Sequence, residues 1–351
     1  MANFDDLKLA VQALSGGKNT VILDDVGMPS VMVILPKQNT SDLITGGTQT
    51  THPAWTLNGN PVNSVAVSKF LNIVMNNRAY SLPFQDPRAS ITWDNSLLYC
   101  RNKGNLWGLM PFALWGAVAL WSRKNETMPR GNNNYGQDHA YPHEKGVPTS
   151  FETDGRPART ATGSGPVTWN HNWQADGITD LNGNVWDWVA GMRLVMGEIQ
   201  IIPYANCMNN TSDMGVNSLE WRAIMPDGTY VAPGTAGTLK LDYIGSNWQI
   251  TDVITSAVDS NRSGGFTSMT AKSGIAVPQI LKELALFPAE PGGDYGGDLF
   301  YANNGQAERF PFRGGCWADG SAAGVFYSYL SNPRSNSYTV LGFRSAYYGQ
   351  L

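Results

Sequence analysis

The chain has 351 residues, enough for a sizeable core in one large domain or two. Only 15% are charged, against roughly 25% in an average soluble domain, while Gly (38), Pro (20) and Trp (12) are abundant, so a loop-rich, aromatic-rich globule is expected rather than a helical bundle. A net charge of −4 argues against nucleic acid, and the absence of a long apolar run argues against membrane insertion.

Residues 4–14 space Phe4, Leu7, Val11 and Leu14 as a helix, which Gly16 and Gly17 stop. The acidic start and the broken apolar stretch give no secretory signal, so synthesis in the cytoplasm is expected. Residues 20–36 read as two strands around an Asp-Val-Gly-Met-Pro turn. Residues 37–53 are polar and Gly/Thr-rich, and a linker is expected there. It would divide a small N-terminal module (1–45), used for attachment or oligomerisation, from a domain over 46–351.

Residues 61–77 suggest a strand, alone or running into a helix. Residues 91–104 suggest a helix capped by Asp94 and ended by Gly104, and 110–125 a second helix with Pro111 in its first turn. Residues 129–176 read as loop. Residues 180–195 read as an Asn-Gly turn and an alternating strand, and 196–300 as an insert of short strands and loops with one helix near 278–287.

Familiar catalytic patterns are scarce. Cys100, Cys207 and Cys316 are odd in number and widely spaced, which indicates neither a disulfide framework nor zinc. His139 and His143 are four apart, but Pro142 between them spoils a shared helical face, and His52 and His171 are isolated. The Gly-rich 234–240 stretch lacks P-loop spacing. Around the 180–187 turn, the Asp180 and Asp187 carboxylates with the Gly183 and Val185 carbonyls form the oxygen mixture that calcium takes. The alternative is an Asn-Gly turn in which Asp187 caps the chain or pairs with an arginine.

The order ITWDNSLLYCRNKG (91–104), LMPFALWGAVAL (109–120), DLNGNVWDWV (180–189), RGGCW (313–317) and GFRSA (342–346) resembles the formylglycine-generating, sulfatase-modifying enzymes, whose fold elaborates the C-type lectin fold. The resemblance covers about half of the chain and implies an α+β, loop-rich fold. It also places a structural calcium at Asp180, Gly183, Val185 and Asp187, no other cofactor being required. Those enzymes use a pair of tail cysteines. Asp319 and Gly324 stand in that register here, so the resemblance implies the fold without the oxidase chemistry.

The tail, RGGCWADGSAAGVFYSYLSNPRSNSYTVLGFRSA (313–346), also resembles the variable region of diversity-generating retroelement proteins, which include a phage tropism determinant. The resemblance implies a fixed frame of Arg313, Gly314, Gly315, Trp317, Gly320, Gly324, Val325, Phe326, Pro333, Arg334, Gly342, Phe343 and Arg344. It implies diversified, ligand-binding positions at Cys316, Ala318, Asp319, Ala322, Tyr327, Tyr329, Ser331, Tyr338, Thr339 and Val340. Rewriting the adenines of Asn codons never gives Lys, Glu, Gln, Met or Trp, and none of these ten carries one. Alternation puts Tyr327 and Tyr329 on one strand face and Phe326 and Leu330 on the other, and Tyr and Ser are the side chains antibody paratopes favour. The expected protein is therefore a non-enzymatic ligand-binding protein, displayed on a phage or prophage tail. It would form a homo-oligomer, most simply a trimer, that meets a protein or glycan on a cell surface. The rivals are a sulfatase-modifying-type oxidase and a host-encoded cytoplasmic binding protein.

Overall fold

The computed structural model describes residues 4–351. The class is α+β: mostly short strands in several sheets, few helices and long connecting loops. Among the described residues no helix is long and apolar enough to cross a membrane.

Helix Asp5–Ser15 ends on Gly16 in the left-handed conformation, as its sequence predicts, and it buries none of its residues. Strands Asn19–Leu23 and Pro29–Pro36 form the expected hairpin. The second strand pairs over Met32–Pro36 with Ser64–Ser68, which pairs with Ser345–Tyr347, which pairs with Trp107–Leu109. Both ends of the chain thus meet in one five-stranded antiparallel sheet. The polar 37–53 stretch is ordered around a short helix, Thr40–Leu43, with a capping box at Asn39. Leu43 and Ile44 there join the main core, and the Thr40 hydroxyl donates to Glu283 at 2.5 Å.

The 61–77 stretch forms two strands, Ser64–Ser68 and Asn72–Met75, without a helix. Helix Trp93–Arg101 is capped by Thr92, whose hydroxyl accepts from the Asn95 amide, so Asp94 lies inside the first turn and pairs with Arg334 instead. Pro111 is the cap of helix Phe112–Lys124 rather than part of its first turn. That helix is buried nearly all round, which explains its almost uninterrupted apolar sequence. The helix expected near 278–287 shortens to Gln279–Glu283.

Residues 192–271 contribute a second sheet built around Glu198–Ile201, Lys240–Ile244 and Asn247–Thr251. The third sheet carries the tail. Its order is Arg262–Gly265, Leu299–Ala302, Gly324–Asn332, Phe310–Gly314, Trp186–Trp188, Leu341–Phe343. The tail strand Gly324–Asn332 is therefore an inner strand, flanked in parallel by Leu299–Ala302 and antiparallel by Phe310–Gly314.

Candidate functional site: the tail face

The frame of the tail is locked by geometry. Gly314 and Gly315 both have φ near +90°, and a Cβ would meet the Leu181 carbonyl at 2.7 Å and Ala323 Cβ at 2.5 Å, so only glycine fits. Gly342 packs against Val185, and Phe343 and Trp317 are buried. The Trp317 indole donates to Glu152 at 2.7 Å, and its backbone is clamped by Tyr135 and Asn184.

Two arginines hold the tail from below. The Arg313 guanidinium bonds the Ser328 hydroxyl and the Val325 carbonyl, and full burial pulls its pKa down to about 9. Arg344, 0% exposed, makes two bonds to Asp187 Oδ2 (3.0 and 3.1 Å) and one each to the Thr179 and Asp180 carbonyls (3.1 Å).

That arrangement decides the fit of calcium. The cation between Asp180 and Asp187 is the Arg344 guanidinium, which pairs with the Asp187 carboxylate and bonds the Asp180 backbone carbonyl. Each carboxylate keeps one buried oxygen without a partner, yet burial pushes both carboxyls up toward the neutral form. Asp180 Oδ2 is taken by the Gly163 amide and the Thr179 hydroxyl. Gly183 lies against the Asn132 backbone, and the Val185 side chain packs on Gly342. Among the described residues no group of three or more His, Cys, Asp or Glu side chains could hold a metal. A divalent ion here would lie beside the Arg344 guanidinium and meet like charge, which disfavours calcium at Asp180 and Asp187.

Of the ten positions expected to face solvent, the structure exposes some and buries others. Ala318 and Thr339 are exposed, Tyr338 is 55% exposed, and Asp319, Ala322, Tyr329 and Val340 are half-buried. Cys316, Ser331 and Tyr327 (5% exposed) are buried, which corrects the expectation of an outward row. The reason is the inner position of the strand: Tyr327 and Tyr329 share a face as expected, but large rings on the neighbouring strands crowd them on that face. Tyr329 lies opposite Tyr301 on one side and Phe312 on the other, with parallel rings 4.6 and 4.7 Å apart. Trp188 continues the row at 4.9 Å from Phe312, and Trp186 sits edge-on 4.5 Å from Tyr327. Burial raises the pKa of the Tyr329 phenol to about 12 and pushes the Tyr327 phenol and the Cys316 thiol up as well. Phe326, on the opposite face, packs on Phe266 and Tyr295.

The two turns beside this aromatic row have a different construction. In the 316–322 turn, Asp319 accepts from the Cys316 amide at 2.7 Å, and the Gly320 amide donates to Asn133. In the 333–340 loop, the Arg334, Tyr338 and Val340 carbonyls accept from the Trp93, Ser90 and Trp186 amides. Arg334 itself bonds Glu308, Asp94 and the Met214 carbonyl. The backbone of each turn is pinned while Ala318, Tyr338 and Thr339 project outward.

Two residues that matter here lie outside the tail and carry little sequence signal. Asp298, fully buried, accepts from the Phe326 amide at 2.7 Å, and a Cβ on Gly324 would meet its Oδ1 at 2.1 Å. Burial raises its pKa to about 7. Tyr301 lies outside the tail and extends the aromatic row, and only the alternation in LFYA (299–302) hints at it.

The remaining candidates do not assemble into a catalytic group. The three cysteines are free, buried and unpaired. His52 is buried against the Glu283 carbonyl, and His139 bonds Asn133. The Gly234 amide of the Gly-rich stretch is occupied by the Glu198 carboxylate.

No family model and no curated protein matches the chain. Among solved structures it is similar to PvdO from Pseudomonas aeruginosa, with 14% identity, 93% of this chain and 97% of that one covered, and a TM-score of 0.36. It is similar to Treponema denticola variable protein 1, with 12% identity, 94% and 98% covered, and a TM-score of 0.34. It is also similar to a Major Tropism Determinant P3c variant, with 12% identity, 94% and 71% covered, and a TM-score of 0.31.

Proposed function

We propose that the chain is a ligand-binding protein that presents a diversified C-terminal face on a C-type lectin-type scaffold, in the manner of retroelement variable proteins. The observation that carries this reading is the division of labour in the tail. Frame residues are buried and sterically fixed, while Ala318, Tyr338 and Thr339 extend from turns held through their backbones. Side chains that touch little else are the ones a protein can exchange without refolding.

The contact set is Ala318, Asp319, Ala322, Tyr338, Thr339 and Val340, with Tyr329 at its margin and Cys316, Tyr327 and Ser331 as the layer beneath. Ala318, Tyr338 and Thr339 in this set are exposed, which suits a macromolecular surface better than an enclosed pocket for a small metabolite. The ligand in this reading is a protein or glycan of a cell surface. Display on a phage or prophage tail as a trimer would add avidity to a modest single face. The reading assigns no oxidase chemistry, which would need a second thiolate beside Cys316.

Sequencing the coding locus in many isolates tests the proposal. A nearby reverse-transcriptase gene, a near-copy of the tail's coding DNA, and differences confined to adenine positions of that copy are expected. Uniform drift across tail and body, with no such copy, would overturn it.

A further inference from the structure

Away from the tail, a cleft of about 340 Å³ opens between helix Phe112–Lys124, strand Pro29–Pro36, helix Thr40–Leu43 and the 171–176 segment. Its wall is apolar and aromatic, formed by Val33, Leu35, Leu43, Trp55, Val118 and Trp121. Lys18 and Asp176 stand on its lining as an ion pair at 2.9 Å, so the charges there already neutralise one another.

His171, 6% exposed, lies on the same wall. It is held firmly: its amide donates to the Ile178 carbonyl, and its own carbonyl accepts from the Ser122 and Thr127 hydroxyls. Its ring lies 5.3 Å from Trp121. Nδ1 accepts from the Ile178 amide at 2.9 Å, which places the imidazole proton on Nε2. Burial drops its pKa to about 3, so the ring is neutral at ordinary pH. Among the described residues Nε2 has no protein partner and is not sealed from solvent, so its N–H is free to donate to an acceptor in the cleft.

We propose that this cleft binds a small uncharged aromatic molecule, about two fused rings in size, that offers one hydrogen-bond acceptor to His171 Nε2. The rings of Trp55 and Trp121 supply aromatic contact, and the cleft has no unpaired charge to receive an ion. The volume falls within the range of small-ligand sites.

The chain has four histidines, so selective ¹⁵N-histidine labelling gives a simple NMR spectrum. The labelled protein is titrated at pH 7.5 with quinoline and with naphthalene, which has the same shape but lacks the acceptor nitrogen. Saturable quinoline binding that shifts the His171 Nε2 resonance, about tenfold tighter than naphthalene, is expected. Leu35→Trp, which fills the cleft from a half-buried position, should keep its melting temperature and lose both probes. The proposal is overturned if His171 stays unmoved at millimolar quinoline, if the two probes bind equally, or if a folded Leu35→Trp protein binds as before. The probe comparison needs no variant, so it decides the matter even if Leu35→Trp fails to fold.

Discussion

Replacing Arg344 with Met keeps most of the side-chain volume but removes the cation paired with Asp187. The variant loses two bonds to Asp187 Oδ2 and the bonds to the Thr179 and Asp180 carbonyls, and Asp187 Oδ1 has no partner to begin with. Breaking one side of a buried ion pair costs about 3–5 kcal/mol, and orphaned carbonyls add to it, so a loss near the top of that range is expected. The loss depends on pH in a definite direction. Without the guanidinium, burial raises the Asp187 pKa in the folded state further above its unfolded value. The folded variant then holds a proton that the unfolded chain has released, so its stability falls as pH rises through that window. The deficit relative to the parent should be smaller near pH 4, where only the pH-independent loss of the carbonyl bonds remains, and full at pH 8. Adding Asp187→Asn should return part of it, because no unpaired charge remains. Urea denaturation of the parent, both single variants and the double variant, at several pH values, gives the coupling energy. A deficit below about 1 kcal/mol, or one unchanged between pH 4 and 8, would refute the buried-pair account.

Three further outcomes are expected. Calcium at 1 mM, or a chelator, should leave the melting temperature unchanged, and a rise with calcium would restore the ion that the Arg344 geometry disfavours. Asp298, whose pKa burial raises to about 7 from an ordinary 3.8, should make parent stability decline between about pH 4 and 7, by on the order of 4 kcal/mol at most; the Asp298→Asn profile should be flatter, and a parent profile already flat there would count against it. Gly324→Ala should cost about 1–3 kcal/mol, because its Cβ would meet Asp298 Oδ1 at 2.1 Å, whereas Ala322→Gly should cost little; equal melting points for the two would refute the contact.

The helices at 93–101 and 112–124, the N-terminal hairpin and the tail frame were legible in the sequence because each carries a local signature: apolar spacing, a stop signal, or glycines at turns. The caps were misplaced by one or two residues since Thr92 and Asp94 are both good caps and only the hydrogen bond to Asn95 separates them. The buried state of Tyr327 was not legible. Alternation shows which residues share a strand face, and the ring that packs on Tyr327, Trp186, comes from a distant segment. The same holds for Asp187, where the sequence supports either calcium or an arginine, and the partner is 157 residues away. His171 gave no signal at all, because its cleft is assembled from several separated stretches.

The division of the tail into a fixed frame and an exchangeable face is tested most directly by a displayed library. All ten positions from Cys316 to Val340 are randomised with Asn-codon products, and Trp317, Phe343 and Arg344 are randomised in parallel to all twenty residues. Clones are sorted first for folding and then for the cell-surface partner they capture. Among folded clones, Ala318, Ala322, Tyr338, Thr339 and Val340 should accept nearly every product, and captured partners should change with them. Asp319 should lean toward Asn, which can still accept from the Cys316 amide, and Tyr327 should keep large apolar or aromatic residues. The frame positions should return to Trp, Phe and Arg, since loss of a buried ring costs roughly 3–5 kcal/mol. Equal intolerance at the turn and frame positions, or capture that ignores the turn residues, would contradict the account.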